Sequence, residues 1–287
     1  VRWRLTAILG FALLAGCAAH GVTSGEMVRI PTGDEVGGTV MMAARVCRPT
    51  TPTPWRVVVI NHGKSPLVSE RAALQPAICE SEAVQWFTRR GYLAVMPVRR
   101  GYGATGGVMA ENPGAVCDDR RDYARSALAG AHDIAAAVEY ATALPGAMAS
   151  GAVVVGHSAG GIATVGYASL PHPKVAALVN MAGGDGGHSN QVPNNNCRPD
   201  LLAKAAGRFG ATSSTPMLWV YNENDSFFAP PIARSMRDAF VAAGGRLTFV
   251  NPGAFGSDGH QLFFGRGGSS IWGPHVEAYL TQRLPVP

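Results

Sequence analysis

The sequence predicts an α/β fold, a doubly wound and mostly parallel sheet with helices on both faces. Three observations carry that expectation. Predominantly apolar runs at 55–60, 92–96 and 153–155, β-branched in the first and last, have the composition of strands buried on both sides. Between them lie segments with apolar residues at helical spacing, and strand alternating with helix is the signature of parallel crossover units. One junction, Val153-Val154-Val155-Gly156-His157-Ser158-Ala159-Gly160-Gly161, reads as strand, sharp turn and helix in immediate succession.

Taken in order, residues 27–30 and 39–46 read as opening strands, and the prolines of Thr50-Thr51-Pro52-Thr53-Pro54 mark a loop because they cannot donate within a ladder. Residues 55–60 form the first buried strand, running into Asn61-His62-Gly63-Lys64. A helix is expected over 75–90, ended by Gly91, then a strand over 92–96 closed by Pro97. Ala124, Leu128, Ala131, Ile134, Ala135, Val138 and Ala141 repeat at helical spacing and predict a long helix stopped near Pro145. Further strands are expected at 175–181, 216–221 and 246–250, with helices at 201–206, 232–243 and 274–284, the last starting at Pro274. No Ser/Pro/Gly linker separates two self-sufficient patterns, so residues 38–287 read as one domain preceded by a tether and first strand over 18–37.

The 153–161 junction is where chemistry is expected. A serine hydroxyl is a poor nucleophile unless the backbone holds it exposed, beside a base and near hydrogen-bond donors. The G-x-S-x-G turn does this for Ser158: Gly156 and Gly160 make room for the turn, Ala159 offers its N–H to an oxyanion, and the following helix adds its positive end. Gly187-His188-Ser189 is a decoy, lacking both the closing glycine and a preceding strand.

With this turn, the upstream His62-Gly63, the run Arg100-Gly101-Tyr102-Gly103-Ala104-Thr105-Gly106-Gly107 and a late Asp and His, the chain resembles the α/β-hydrolases of the dienelactone-hydrolase-like and prolyl-oligopeptidase-like branch, over residues 38–284. The resemblance implies a second oxyanion donor at the Lys64 N–H, a substrate contact at Tyr102, and a short cap over the active site from 183–215. It also implies the chain order serine, acid, histidine. His260 follows the last strand in a loop that can swing imidazole over the serine, whereas His275 follows Pro274 at a helix start. Asp225 lies in a turn before Pro230 and is the expected acid; Asp185 is the rival, Asp258 is too near His260 to orient it, and Glu223 is read as solvated. His62 precedes the serine in the chain and reads as a brace for its loop, and the Lys64 ammonium reads as solvated. Trp219, Phe227, Phe228 and Trp272 read as pocket-lining or, better, as core aromatics.

The first 17 residues read as an export leader: Arg2 and Arg4, an apolar run over 5–14 too short to span a bilayer, then Leu14-Ala15-Gly16-Cys17. This last stretch resembles the lipobox of bacterial lipoproteins, implying cleavage before Cys17, lipidation of its sulfur and anchoring in the cell envelope, and Ala18 directly after the cysteine, rather than aspartate, resembles lipoproteins passed on to the outer membrane. The remaining Cys47, Cys79, Cys117 and Cys197 are an even number in an exported chain without C-x-x-C spacing. They suggest two disulfides, with all three pairings open. Of 24 Lys and Arg residues, Arg2 and Arg4 leave with the leader, so 22 face 19 acidic residues, and no basic cluster is interleaved with aromatics, which excludes a nucleic-acid partner.

The expected activity is cleavage of a small-molecule carboxylic ester by Ser158, His260 and Asp225, with no cofactor or metal. A polyester hydrolase or a peptidase would use the same groups. A protein of another class, binding without catalysis on the same fold, would usually have lost one of the three.

Overall fold

The computed structural model describes residues 25–33 and 38–284. The expected leader and Cys17 lie outside the described residues. Eight strands form one sheet in the order β1-β2-β4-β3-β5-β6-β7-β8. They are β1 (Glu26–Gly33), β2 (Thr39–Cys47), β3 (Arg56–Asn61), β4 (Tyr92–Pro97), β5 (Ala152–His157), β6 (Val175–Met181), β7 (Met217–Val220) and β8 (Leu247–Val250). β1 and β2 pair antiparallel and the rest run parallel from β4 to β8.

Because side chains alternate across a strand, the apolar runs divide between two cores. Val57, Val59 and Val154 face one core, which is covered by helices α3 (Tyr123–Thr142), α4 (Ala159–Tyr167), α5 (Pro199–Gly210) and α6 (Pro230–Ala242). Val58, Ile60, Val153 and Val155 face the other, covered by α2 (Glu82–Thr88) and α7 (Ser269–Arg283). β5 lies in the middle with all six residues buried, so its C-terminal end opens at the centre of the sheet edge.

Four expectations about the elements need correcting. The helix expected over 75–90 begins only at Glu82, because Pro76 interrupts the segment and Cys79 is bonded to Cys47 at the end of β2. A short exposed helix, α1 (Val68–Ala73), precedes it and was not expected; none of its residues is buried, so it leaves no periodic apolar signal. The closing helix starts at Ser269 rather than Pro274, since the Glu82 carboxylate accepts the Gly267 and Ser269 N–H groups, each at 2.8 Å, and organises its first turn. Finally, of the span 183–215 expected as a cap, only the first part rims the site. α5 buries Leu202, Ala205, Ala206 and Phe209 in the helical layer beneath the sheet.

The cysteines pair Cys47 with Cys79 and Cys117 with Cys197. The second bond joins the loop before α3 to the loop before α5, and both border the mouth of the site.

Candidate active site

Ser158 follows β5 directly, and α4 starts at the next residue. It holds φ 55° and ψ −120°, a conformation that costs a residue with a Cβ about 1–3 kcal/mol. Backbone bonds on both sides maintain it: its N–H donates to the Met181 carbonyl at 3.0 Å, and its carbonyl accepts from Gly161 at 2.8 Å, Ile162 at 3.1 Å and Gly184 at 3.0 Å. A Cβ on Gly156 would strike the Gly160 carbonyl, and one on Gly160 would come within 2.5 Å of the His62 carbonyl oxygen. The second glycine thus serves the loop after β3 as well as the turn.

That loop is held against the serine. Gly63 packs so closely that a Cβ there would lie 2.9 Å from Ser158 Cβ. The Arg99 N–H donates to His62 Nε2 at 3.0 Å, so Nδ1 must carry the ring proton and donates to the Gly63 carbonyl at 2.7 Å. Burial, reinforced by the neighbouring Arg99 charge, pushes the His62 pKa well below the usual histidine value. His62 is therefore a neutral brace, as its place in the chain suggested. Among the described residues, neither the Lys64 nor the Ala159 backbone N–H is hydrogen-bonded.

His260 lies in a 3₁₀ turn over Gly259–Gln261 after β8. Its Nδ1–H faces both Asp225 oxygens, at 3.0 and 3.1 Å, and the two residues are 3% and 2% exposed. The Asp225 carboxylate is itself fixed, since Oδ1 accepts the Phe227 and Phe228 N–H groups at 2.8 Å each. Asp258 holds the backbone of the turn: Oδ1 accepts from Ser226 N–H and His260 N–H at 3.0 Å each, and Oδ2 accepts the Ser226 hydroxyl at 2.7 Å. Burial opposes its charge, but the Ser226 bonds and the backbone donors prevail and keep its pKa below the usual value. His157, next to the serine, donates Nε2–H to the His260 carbonyl at 2.8 Å, linking the strand end to the histidine turn. Burial first, and then repulsion from a charged His260, push the His157 pKa down to about 3. Ser158 and His260 are not hydrogen-bonded to each other here; in unliganded sites this contact often tightens only when substrate arrives.

Asp185 is not hydrogen-bonded to His260, whose Nδ1 is committed to Asp225. It is buried and paired with Lys64, whose Nζ donates to Oδ2 at 2.7 Å, so Lys64 is not the solvated side chain the sequence suggests. Glu223 and His275 are exposed. Tyr102, expected as a substrate contact, has no exposed surface; its hydroxyl donates to Glu111 Oε2 at 2.9 Å and its ring packs edge-on against His62. The buried Arg99 pairs with Glu111 and holds Tyr102 inward, while Val108 in the same loop is exposed. Trp219, Trp272 and Phe228 are core residues, but Phe227 is half-buried and lies flat on His260 with ring centroids 4.2 Å apart.

A cavity of about 660 Å³ opens over Ser158 and Ala159, walled by Lys64, Met109, Asp185, His188, Cys197 and Phe227 among others. His188, set aside as part of a decoy motif, stacks on the far face of Phe227 with centroids 3.4 Å apart. Nothing in its sequence neighbourhood signals this; it depends on the loop folding back across the site. Among the described residues, no group of three or more His, Cys, Asp and Glu side chains is placed to hold a metal ion.

No protein-family model matches the chain, and no curated protein matches it in sequence. Solved structures do. A candidate dienelactone hydrolase from Klebsiella pneumoniae is 17% identical, with a TM-score of 0.55 over 91% of this chain and 99% of that one. An esterase from Pyrococcus furiosus is 11% identical, with a TM-score of 0.57 over 91% and 94%. Dipeptidyl peptidase 4 of Porphyromonas gingivalis is 15% identical, with a TM-score of 0.62 over 91% of this chain but only 35% of its own. The sheet order, the turn at Ser158 and these likenesses define the class: the chain has the α/β-hydrolase fold. At such identities the likeness speaks for the fold alone.

Proposed function

We propose that the protein is a serine hydrolase that cleaves carboxylic esters through an acyl-enzyme. The observation that carries this reading is the buried His260–Asp225 pair, held by His157 beside a serine in a strained, positive-φ turn. In the proposed reaction Ser158 Oγ attacks the ester carbonyl while its proton passes to His260 Nε2, the nitrogen not committed to Asp225. The carbonyl oxygen becomes an oxyanion, met by the Lys64 and Ala159 N–H groups, each worth on the order of 3 kcal/mol in the transition state. Collapse returns the proton to the leaving alkoxide and releases the alcohol. Water, deprotonated by His260, then attacks the acyl-Ser158 carbonyl; the serine takes back its proton and the carboxylic acid leaves. The cavity has room for a small or medium ester. Anchoring in the cell envelope through Cys17 is part of the proposal and rests on the 14–17 motif.

The test is hydrolysis of p-nitrophenyl esters of graded acyl length by wild type, Ser158→Ala and His260→Ala. Turnover by wild type and background rates for both variants are expected. An inert, folded wild type that also resists a serine-reactive fluorophosphonate would overturn the proposal in favour of a binding protein.

A further inference from the structure

Asp185 was the rival for the role of acid, and the structure leaves its carboxylate outside the His260 pair. It is nonetheless elaborately held. Oδ1 accepts the Gly186 N–H at 2.7 Å, and Oδ2 accepts both the Ser126 hydroxyl at 3.2 Å and the Lys64 ammonium at 2.7 Å. Lys64 Nζ also reaches the Glu111 carbonyl at 3.4 Å. The pair is largely out of water, with side-chain exposures of 17% and 6%. A buried ion pair of this kind is weak evidence for stability, since desolvation offsets most of its attraction. Its place is more telling. On the N-terminal side the loop after β3 is clamped at His62; on the C-terminal side the Ser65 and Pro66 carbonyls accept from Arg71. Lys64 sits between, next to a glycine, and its side chain is tied across the cavity to a carboxylate anchored from α3 and the 183–198 loop.

We infer that Asp185 is a positioning residue for the oxyanion hole: by latching the Lys64 side chain it sets where the Lys64 backbone N–H points. This rests on the hydrolase reading above. The alternative use of the same pair, direct stabilisation of the oxyanion by the Lys64 charge, makes an opposite prediction. Asp185→Asn would unmask that charge and speed the reaction, whereas a lost latch slows it. Lys64→Met keeps the backbone N–H but removes the latch, and should slow the reaction as Asp185→Asn does.

The experiment compares an oxygen ester with its thionoester, whose developing thiolate makes weaker hydrogen bonds, for wild type, Asp185→Asn, Lys64→Met and the apolar double variant Lys64→Met/Asp185→Leu, each checked by thermal melting. A displaced rather than deleted donor should cost about tenfold in kcat on the oxygen ester with KM little changed, and much less on the thionoester. The oxygen-to-sulfur rate ratio therefore falls about tenfold in both single variants, and the double variant is no slower than either. A loss of folded protein alone would lower both rates equally. An unchanged ratio in folded, active variants, or a faster Asp185→Asn, overturns the inference while the hydrolase reading stands. A wild type inert on the oxygen ester overturns both.

Discussion

Gly63 offers the sharpest perturbation of the proposed chemistry, because it alters no functional group. A methyl added there would lie 2.9 Å from Ser158 Cβ, 3.2 Å from His157 Nδ1 and 3.5 Å from Ser158 Oγ. Comfortable carbon–carbon contact begins near about 3.5 Å, so something must retreat by roughly half an ångström. Ser158 cannot easily yield, being fixed by four backbone bonds, and His157 is tied to the His260 carbonyl. The 62–64 loop must move, carrying the Lys64 N–H away from an oxyanion that needs a donor within about 2.7–3.1 Å. Deleting one donor outright costs about 10²–10³ in kcat, so partial withdrawal should cost Gly63→Ala about 30- to 300-fold, or roughly 2–3.4 kcal/mol. KM should stay within about threefold, because the donors matter most after the carbonyl has become tetrahedral. Steady-state kinetics on a p-nitrophenyl ester, beside a fluorophosphonate labelling rate that should fall in step, measures this. A kcat within twofold of wild type would refute the idea that this loop carries a donor.

Three other outcomes follow from named contacts. Asp225→Asn keeps an oxygen for the Phe227 and Phe228 N–H groups but turns an NH₂ toward His260 Nδ1, forcing the tautomer that cannot accept the serine proton; kcat should fall by about 10⁴ in the same ester assay with the fold retained. Tyr102→Phe should leave KM unchanged and lower stability to denaturant by about 1–2 kcal/mol, because the lost hydroxyl bonds Glu111 and not the substrate. Stability should fall below about pH 6.5, because the unfolded chain takes up protons that the folded protein refuses on His157, whose pKa is pushed down to about 3, and on His62, held well below the usual value; His157 alone removes about 1.4 kcal/mol per pH unit, so urea unfolding at pH 5 against pH 7.5 should reveal a deficit of at least about 2 kcal/mol that shrinks in His157→Asn.

How much of this could be read from the residues varied with how local the cause was. The strand runs of β3, β4 and β5 and the Ser158 turn were legible because both faces of a buried strand must be apolar and a strained turn needs small neighbours. Asp225 and His260, 35 residues apart in sequence, could be named as an expected pair only through the order the resemblance supplied. What escaped had non-local causes. The start of α7 depends on Glu82, 187 residues away, and the loop at 75–81 on a bond to Cys47. In sequence, a glycine-rich surface run and a loop closed inward by an Arg99–Glu111 pair look alike until the pairing is known, which hides the burial of Tyr102. The apolar face of α5, read alone, does not say which partner covers it, so sequence cannot separate a cap helix from the layer beneath the sheet.

The two halves of the candidate site are held by different means, and the difference has a chemical logic. On the base side, Asp225 and Asp258 are fixed by backbone N–H groups and a hydroxyl, and among the described residues no Lys or Arg side chain pairs with either. A permanent positive charge there would compete with the imidazolium for Asp225 and weaken the base. On the oxyanion side the framework is ionic, through Arg99–Glu111 and Lys64–Asp185, but each pair is internally balanced. An unpaired carboxylate near the oxyanion would oppose it, and an unpaired ammonium would favour the bound anionic product as well as the transition state. In the proposed reaction, balanced pairs would supply rigidity with little net field and leave oriented N–H dipoles to discriminate the tetrahedral state from the planar ester. Removing one member of either pair should therefore damage kcat more than KM, and removing both should damage it less than the sum.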